Sequence, residues 1–169
     1  MSCASKASSR APTFSERLGD MVMRNSINTV LSELGGRLGL GHLALDEDGE
    51  AALAFDEVLV QLELDEERRV LKLASYLGKP QGDSARTCRQ LLEASFLGEG
   101  AAGGMLARSP GSGSIVLHHA LPVAGLTLAG LETSLQAFVD TADSWSARLA
   151  AEPDEAPPAE RGPEPMIQA

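Results

Sequence analysis

Aromatic residues are scarce in this chain. One tryptophan, one tyrosine and four phenylalanines make up 4% of 169 residues, so leucine, valine and alanine must fill the core. Positive charge is scarce too: 14 lysines and arginines stand against 24 aspartates and glutamates, a formal net charge of −10. Nucleic-acid affinity comes largely from neutralising phosphates, and this balance opposes it. The same acidity keeps a protein soluble and repels anionic lipid. No apolar run approaches the roughly 20 residues of a membrane span, so membrane insertion is not expected. The opening MSCASKASSRAPTF has no apolar segment of the secretory type. Cysteine is limited to Cys3 and Cys88, neither at CxxC spacing. Two free thiols in a reducing cytoplasm are expected, not a disulfide or zinc framework.

What is present suffices for one domain with tails: the chain is 43% hydrophobic. Residues 1–12, rich in Ser and Ala, read as a disordered leader, and 151–169, rich in Pro and Glu, as a disordered tail. Residues 13–150 remain as the domain. Thr13 and Glu16 fit a capping box. A helical pattern follows in two phases, Phe14, Leu18, Met21 and Val22, then Ile27, Val30, Leu31, Leu34 and Leu38. This predicts a firm helix from Asn25 to Leu38 with a looser lead-in, stopped by Gly39 and Gly41. Acidic turns at 46–49, 56–57 and 65–67 separate three strands, Ala51–Phe55, a half-buried run from Val58, and Val70–Leu77, forming an antiparallel meander. Asp83 or Ser84 can cap a second helix ending near Leu97, with Cys88, Leu91, Leu92 and Phe96 as its stripe. Met105–Arg108 and Ser114–Leu121 read as a hairpin. A last helix, Leu128 to Leu149, keeps helical spacing from Leu128 through Leu131, Leu135, Phe138, Val139, Ala142 and Trp145. The order α-β-β-β-α-β-β-α predicts an α+β fold, a twisted antiparallel sheet with three helices.

Nothing in this pattern is ready for catalysis, and no cofactor is expected. Gly98–Gly103 matches G-x-G-x-x-G, but a helix precedes it and a strand follows, the reverse of the dinucleotide context; a flexible connecting loop is expected. Asp46, Asp48 and Gly49 resemble a calcium loop, yet that alignment puts Ala44 and Phe55 where ligands are required. His118 and His119 are neighbours on a strand and point to opposite faces, so they cannot chelate one ion, and His42 stands apart. The serines near Gly113 lack a nucleophile-elbow context. Glu63, Asp65, Glu66 and Glu67 read as a solvated turn, not as an acid/base pair. No metal site is expected either.

The segments LGGRLGLGHLALDEDG, AALAFDEVLVQLELDEERRVLKLASYLG, RQLLEASFLGEG, MLARSPGSGSIVLHHALP and LTLAGLETSLQAFVDTADSW resemble, in that order, the class I chaperones of bacterial type III secretion, the Tir-chaperone (CesT-like) family. The resemblance runs from about Asn25 to Leu149. It implies a homodimeric secretion-chaperone fold joined through the second helix and nearby late strands. It also implies a cytoplasmic, ATP-independent protein linked to virulence. Such a protein holds the N-terminal segment of a secreted effector in extended form and passes it to the secretion ATPase and sorting machinery. On that basis Ile27, Val30 and Leu34 of the first helix, with Leu53, Phe55, Val58, Val60 and Leu62 of the strands, are candidates for lining effector grooves, although each position also suits plain core packing. Leu91, Leu92 and Phe96 are candidate dimer contacts, because one subunit has too little covering for both sheet faces. An alternative on the same scaffold is a regulatory module that sequesters a transcriptional regulator or anti-activator.

Overall fold

The computed structural model describes residues 13–81 and 84–151. The expected leader and all but the first residue of the expected tail lie outside these, as do Asp83 and the side chains of Glu16 and Ser84. The elements are α1 (Phe14–Arg37), β1 (Glu50–Phe55), β2 (Val58–Asp65), β3 (Val70–Gly78), α2 (Ser84–Ser95), β4 (Met105–Arg108), β5 (Ile115–Pro122) and α3 (Leu128–Ala150), with a short 3-10 turn at Phe96–Gly98. The five strands form one antiparallel sheet in the order β1-β2-β3-β5-β4. The α+β order expected from the sequence is therefore the one observed.

Strict alternation along β2 and β3 divides the sheet into two unlike faces. Val58, Val60, Leu62 and Leu64 of β2, and Leu71, Leu73, Ser75 and Leu77 of β3, point inward and are buried; the residues between them face out. On β5, Ile115, Leu117 and Leu121 join the inward set. α3 lies across this face and buries Leu131, Leu135, Phe138, Ala142, Trp145 and Leu149, one stripe at helical spacing. Its start is capped by Thr127, whose hydroxyl accepts from the Gly130 N–H. Fully burying a large aliphatic side chain contributes about 1.5–3 kcal/mol, so this one interface carries most of the fold.

Helix α1 packs beside α3 through Met23, Ile27, Leu31 and Leu34. It differs from expectation in being a single continuous helix from Phe14, not a firm helix with a loose lead-in. No proline interrupts the run, and its two stripes diverge because only the second meets the core. Phe14, Leu18, Met21 and Val22 remain exposed. At the C-terminal end Gly39 takes a left-handed φ of +71° and the Leu40 N–H returns to the Gly35 carbonyl. The chain then runs back along the helix. Leu45 donates its N–H to Asn28 Oδ1 at 2.9 Å, and Leu43 passes so close to Gly35 that a Cβ there would lie 2.9 Å from Leu43 Cβ.

Two expectations about the middle of the chain are corrected. The proposed stripe of α2 does not face the core as a unit: Leu91 is buried, whereas Cys88, Leu92 and Phe96 are exposed. α2 packs chiefly against the β4 edge, and one edge cannot bury a full helical face. The Gly98–Gly103 segment is a bonded structure instead of a flexible loop. Gly100 N–H bonds the Ala94 carbonyl, Gly103 N–H bonds that of Gly98, and Trp145 Nε1 donates to the Gly100 carbonyl at 3.0 Å.

Phe138 is completely buried. Phe138→Ala is expected to cost about 3–5 kcal/mol in urea denaturation. A pH effect centres on His119, which faces the core side of β5 and whose Nδ1 is buried without a hydrogen-bond partner. Burial, and secondarily the neighbouring His118, hold its pKa below the usual histidine value. The unfolded chain therefore binds a proton that the folded chain resists, so this contribution is complete above about pH 6.5 and declines as pH falls below it. Denaturation midpoints of the parent are expected to drop more steeply below about pH 6.5 than those of His119→Phe.

Candidate functional site

One groove combines apolar floor and open access. It lies between the end of α1, the β1–β2 turn and α3, and encloses about 630 Å³. Leu34, Leu38, Phe55, Val58, Leu135 and Val139 supply its apolar lining. Asp56 and Glu57 stand on one bank; Glu132, Gln136, Asp140 and Asp143 stand on the other. The last four recur every three or four residues and so form one ridge of α3. Arg37 reaches over one end and grips Glu132 with two bonds of 3.0 and 2.9 Å. The turn between β1 and β2 is two residues long, with Asp56 at φ +49°, which puts both its carboxylates at the lip.

Beside the groove runs the open edge of the sheet. Leu64 N–H bonds the Gly49 carbonyl, and β1 pairs Ala51 with Leu62, Leu53 with Val60 and Phe55 with Val58 in the same phase. Alternation then turns the backbone N–H and C=O of Glu50, Ala52 and Ala54 away from β2. Glu50 is already used by the Asp46 turn, whose side chain accepts from the Glu50 N–H, while the Glu50 carbonyl accepts from the Asp46 N–H. Among the described residues nothing pairs with the outward backbone groups of Ala52 and Ala54, which can take an incoming strand. The opposite edge differs: on β4, Leu106 donates its N–H to Ser95 Oγ of α2, and that hydroxyl donates back to the Leu106 carbonyl.

A second apolar surface surrounds the end of α2. Leu92, Phe96 and Leu97 are 75%, 69% and 79% exposed, and Leu97 is held at φ +54° by the turn that follows the helix. On the outer face of the sheet, Met105, Tyr76 and Leu59 are exposed as well. Elsewhere on that face Lys72 bridges Glu63 and Asp65, each at 2.9 Å. That ammonium, and then the Arg68 N–H, hold the Asp65 carboxyl below its usual range.

The candidate residues divide. Leu34, Phe55 and Val58 are brought together at the groove. Ile27, Leu53, Val60 and Leu62 have their side chains closed into the core, and Val30 is half-buried against it. Inward alternation left them nowhere else to go. Of the three α2 candidates, Leu92 and Phe96 are on the surface and Leu91 is not. Leu38, Leu135 and Val139 were not singled out for the groove; the last two belong to the α3 stripe, which reads as core from spacing alone. Leu97 and Met105 were missed because a residue just past a helix end and one on an edge strand carry no periodic signal.

The 46–49 turn has the Arg24 guanidinium on the Asp46 and Glu47 carbonyls, at 3.1 and 3.0 Å, where a cation would sit. Among the described residues no three histidines, cysteines or carboxylates are grouped to hold a metal. No helix among them is long and apolar enough to cross a membrane.

Comparison with known proteins bears on this site. The profile of the Tir chaperone protein (CesT) family matches residues 29–146. The transcriptional anti-antiactivator ExsC of Pseudomonas aeruginosa is 42% identical over 60 residues, which is 34% of this chain and 41% of that protein, so the match spans well under two thirds of the relative. A chain in the crystal structure of the ExsC–ExsE complex superposes with a TM-score of 0.66 at 31% identity, covering 75% of this chain and 95% of that one. A chain of the HopA1–SchA chaperone–effector complex gives 0.65 at 20% identity, covering 75% and 97%, a likeness of fold.

The direction of the β1 backbone can be checked with two neighbouring alanines. Ala52→Pro removes an outward N–H and is expected to leave the urea midpoint close to the parent. Ala51→Pro removes a ladder bond to β2 and is expected to cost about 3 kcal/mol.

Proposed function

The chain belongs to the Tir chaperone protein (CesT) family of type III secretion chaperones, and from that premise we propose that it is a cytoplasmic chaperone that binds the N-terminal segment of one or more secreted effectors and keeps it extended for export. The open β1 edge beside an apolar groove carries this reading. An extended segment that pairs with Ala52 and Ala54 gains main-chain bonds, and its alternate side chains reach toward Leu34, Phe55 and Val58. Such binding needs no nucleotide and no reaction: the chaperone acts by holding, and hands its passenger to the secretion ATPase.

Homodimerisation belongs to the same proposal. Leu92, Phe96 and Leu97 form a compact exposed cluster beside β4, and clusters of that kind are usually covered. A two-fold contact through α2 buries them and leaves both β1 edges free, since β1 and β4 lie at opposite ends of the sheet.

A second reading is favoured by the match to a transcriptional anti-antiactivator. The same groove and edge would then hold a regulatory protein as an alternative passenger. Competition between the two passengers follows from their sharing one site.

Co-expression with the product of the neighbouring reading frame tests the proposal. The expected complex is a chaperone dimer with one passenger, retained by an N-terminal fragment of the passenger and lost when that fragment is removed. The bound fragment should show extended contacts and no globular fold of its own. Leu92→Glu with Phe96→Glu is expected to turn the free protein into a monomer in sedimentation equilibrium at micromolar concentration. A parent protein that is already monomeric, or a passenger held only through a folded domain, would count decisively against it.

A further inference from the structure

The groove's charge defines what kind of passenger it accepts; this rests on the effector-binding reading above and sharpens it. We infer that the groove selects an extended segment whose apolar anchor is flanked on both sides by arginine or lysine.

Both banks of the groove are anionic. Asp56 and Glu57 face it from the β1–β2 turn, and Glu132, Asp140 and Asp143 face it from α3, while among the described residues no lysine, arginine or histidine lines it. Of these five carboxylates only Glu132 has a cation, Arg37, at the groove's end. Asp140 accepts a bond of 2.8 Å from the neutral amide of Gln136. Among the described residues no ion pair reaches Asp56, Glu57, Asp140 or Asp143. Like charges held on two facing banks repel one another, and a cationic side chain between them relieves that repulsion on both sides at once.

Geometry adds to charge. The apolar floor of Leu34, Phe55, Val58, Leu135 and Val139 lies between the two acidic banks. Lysine and arginine can lay their alkyl stems along such a floor and lift their charged ends to the rim. A glutamate in the same place would lose its hydration next to an existing anion. The net charge of −10 extends the same preference outward, drawing basic segments in and slowing acidic ones. The groove therefore discriminates by repulsion as well as by attraction. Rim charges of this kind act chiefly on encounter and are screened by salt, which separates them from the apolar anchor in experiment.

The test uses the full chain and fluorescein-labelled synthetic peptides of about 12 residues, long enough to pair along one strand edge. Three share a core of alternating leucine and isoleucine and differ in flanks of arginine, glutamine or glutamate; a fourth carries arginine flanks on a glycine–serine core. Anisotropy titrations are expected to show the arginine-flanked apolar peptide binding about tenfold tighter than the glutamine-flanked one at about 50 mM salt, with the gap closing to about threefold or less at about 500 mM. The glutamate-flanked peptide should bind weakest. Asp140→Asn with Asp143→Asn should narrow the arginine-over-glutamine gap.

Equal affinity for all three flanks would overturn the charge selection while leaving effector binding standing. Equal binding of the glycine–serine peptide would overturn it too, by exposing plain electrostatic attraction with no role for the floor. Failure of every peptide, with the co-expressed passenger still bound, would place the passenger elsewhere and overturn the inference alone. Failure of both peptides and passenger would take down the effector-binding reading itself.

Discussion

The constraint behind this structure is that a five-stranded antiparallel sheet has two faces and the described helices cover one. α3, with α1 beside it, lies on the inward face and buries a continuous layer of leucine and valine around Phe138. With aromatic content at 4%, that layer is built from many medium-sized side chains packed at helical and strand spacing. Among the described residues the one remaining α-helix, α2, lies at the β4 edge. The outer face, the β1 edge and the end of α2 are left to solvent or to other chains.

Each uncovered surface has its own character. The outer face carries charged pairs such as Lys72 with Glu63 and Asp65, which keep it wet. The end of α2 carries the exposed Leu92, Phe96 and Leu97. The β1 edge offers backbone groups next to an apolar groove rimmed by carboxylates. The two sheet edges are not equivalent, because one hydroxyl, that of Ser95, satisfies the centre of β4 and nothing among the described residues does the same for Ala52 and Ala54. Exposed edges invite pairing, and natural proteins usually blunt them. Here the open edge lies where a passenger would gain most from it.

Element types and order were legible in the sequence because alternation on β2 and β3 and the 3.6-residue spacing of α3 are strong local signals. Asp-Gly at the first turn and the acidic pair at 56–57 marked the strand boundaries correctly. Less legible was which apolar positions stay outside. Ile27, Leu53, Val60 and Leu62 and the exposed Phe14, Leu18, Met21 and Val22 are chemically alike, and the first helix alone offers two possible inward stripes. Only the packing of α1 against α3 decides between them.

The sequence by itself determined the α+β order, the acidic character and the kinship to secretion chaperones. Those properties reside in residue type and in spacing along a single element. The tertiary structure alone decided that Leu38, Leu135 and Val139 meet Leu34, Phe55 and Val58, that five carboxylates from two distant segments ring them, and that β1 and not β4 is the open edge. These depend on which surfaces meet when helices run short of the sheet they must cover, and no local pattern encodes a contact between residues about 80 positions apart.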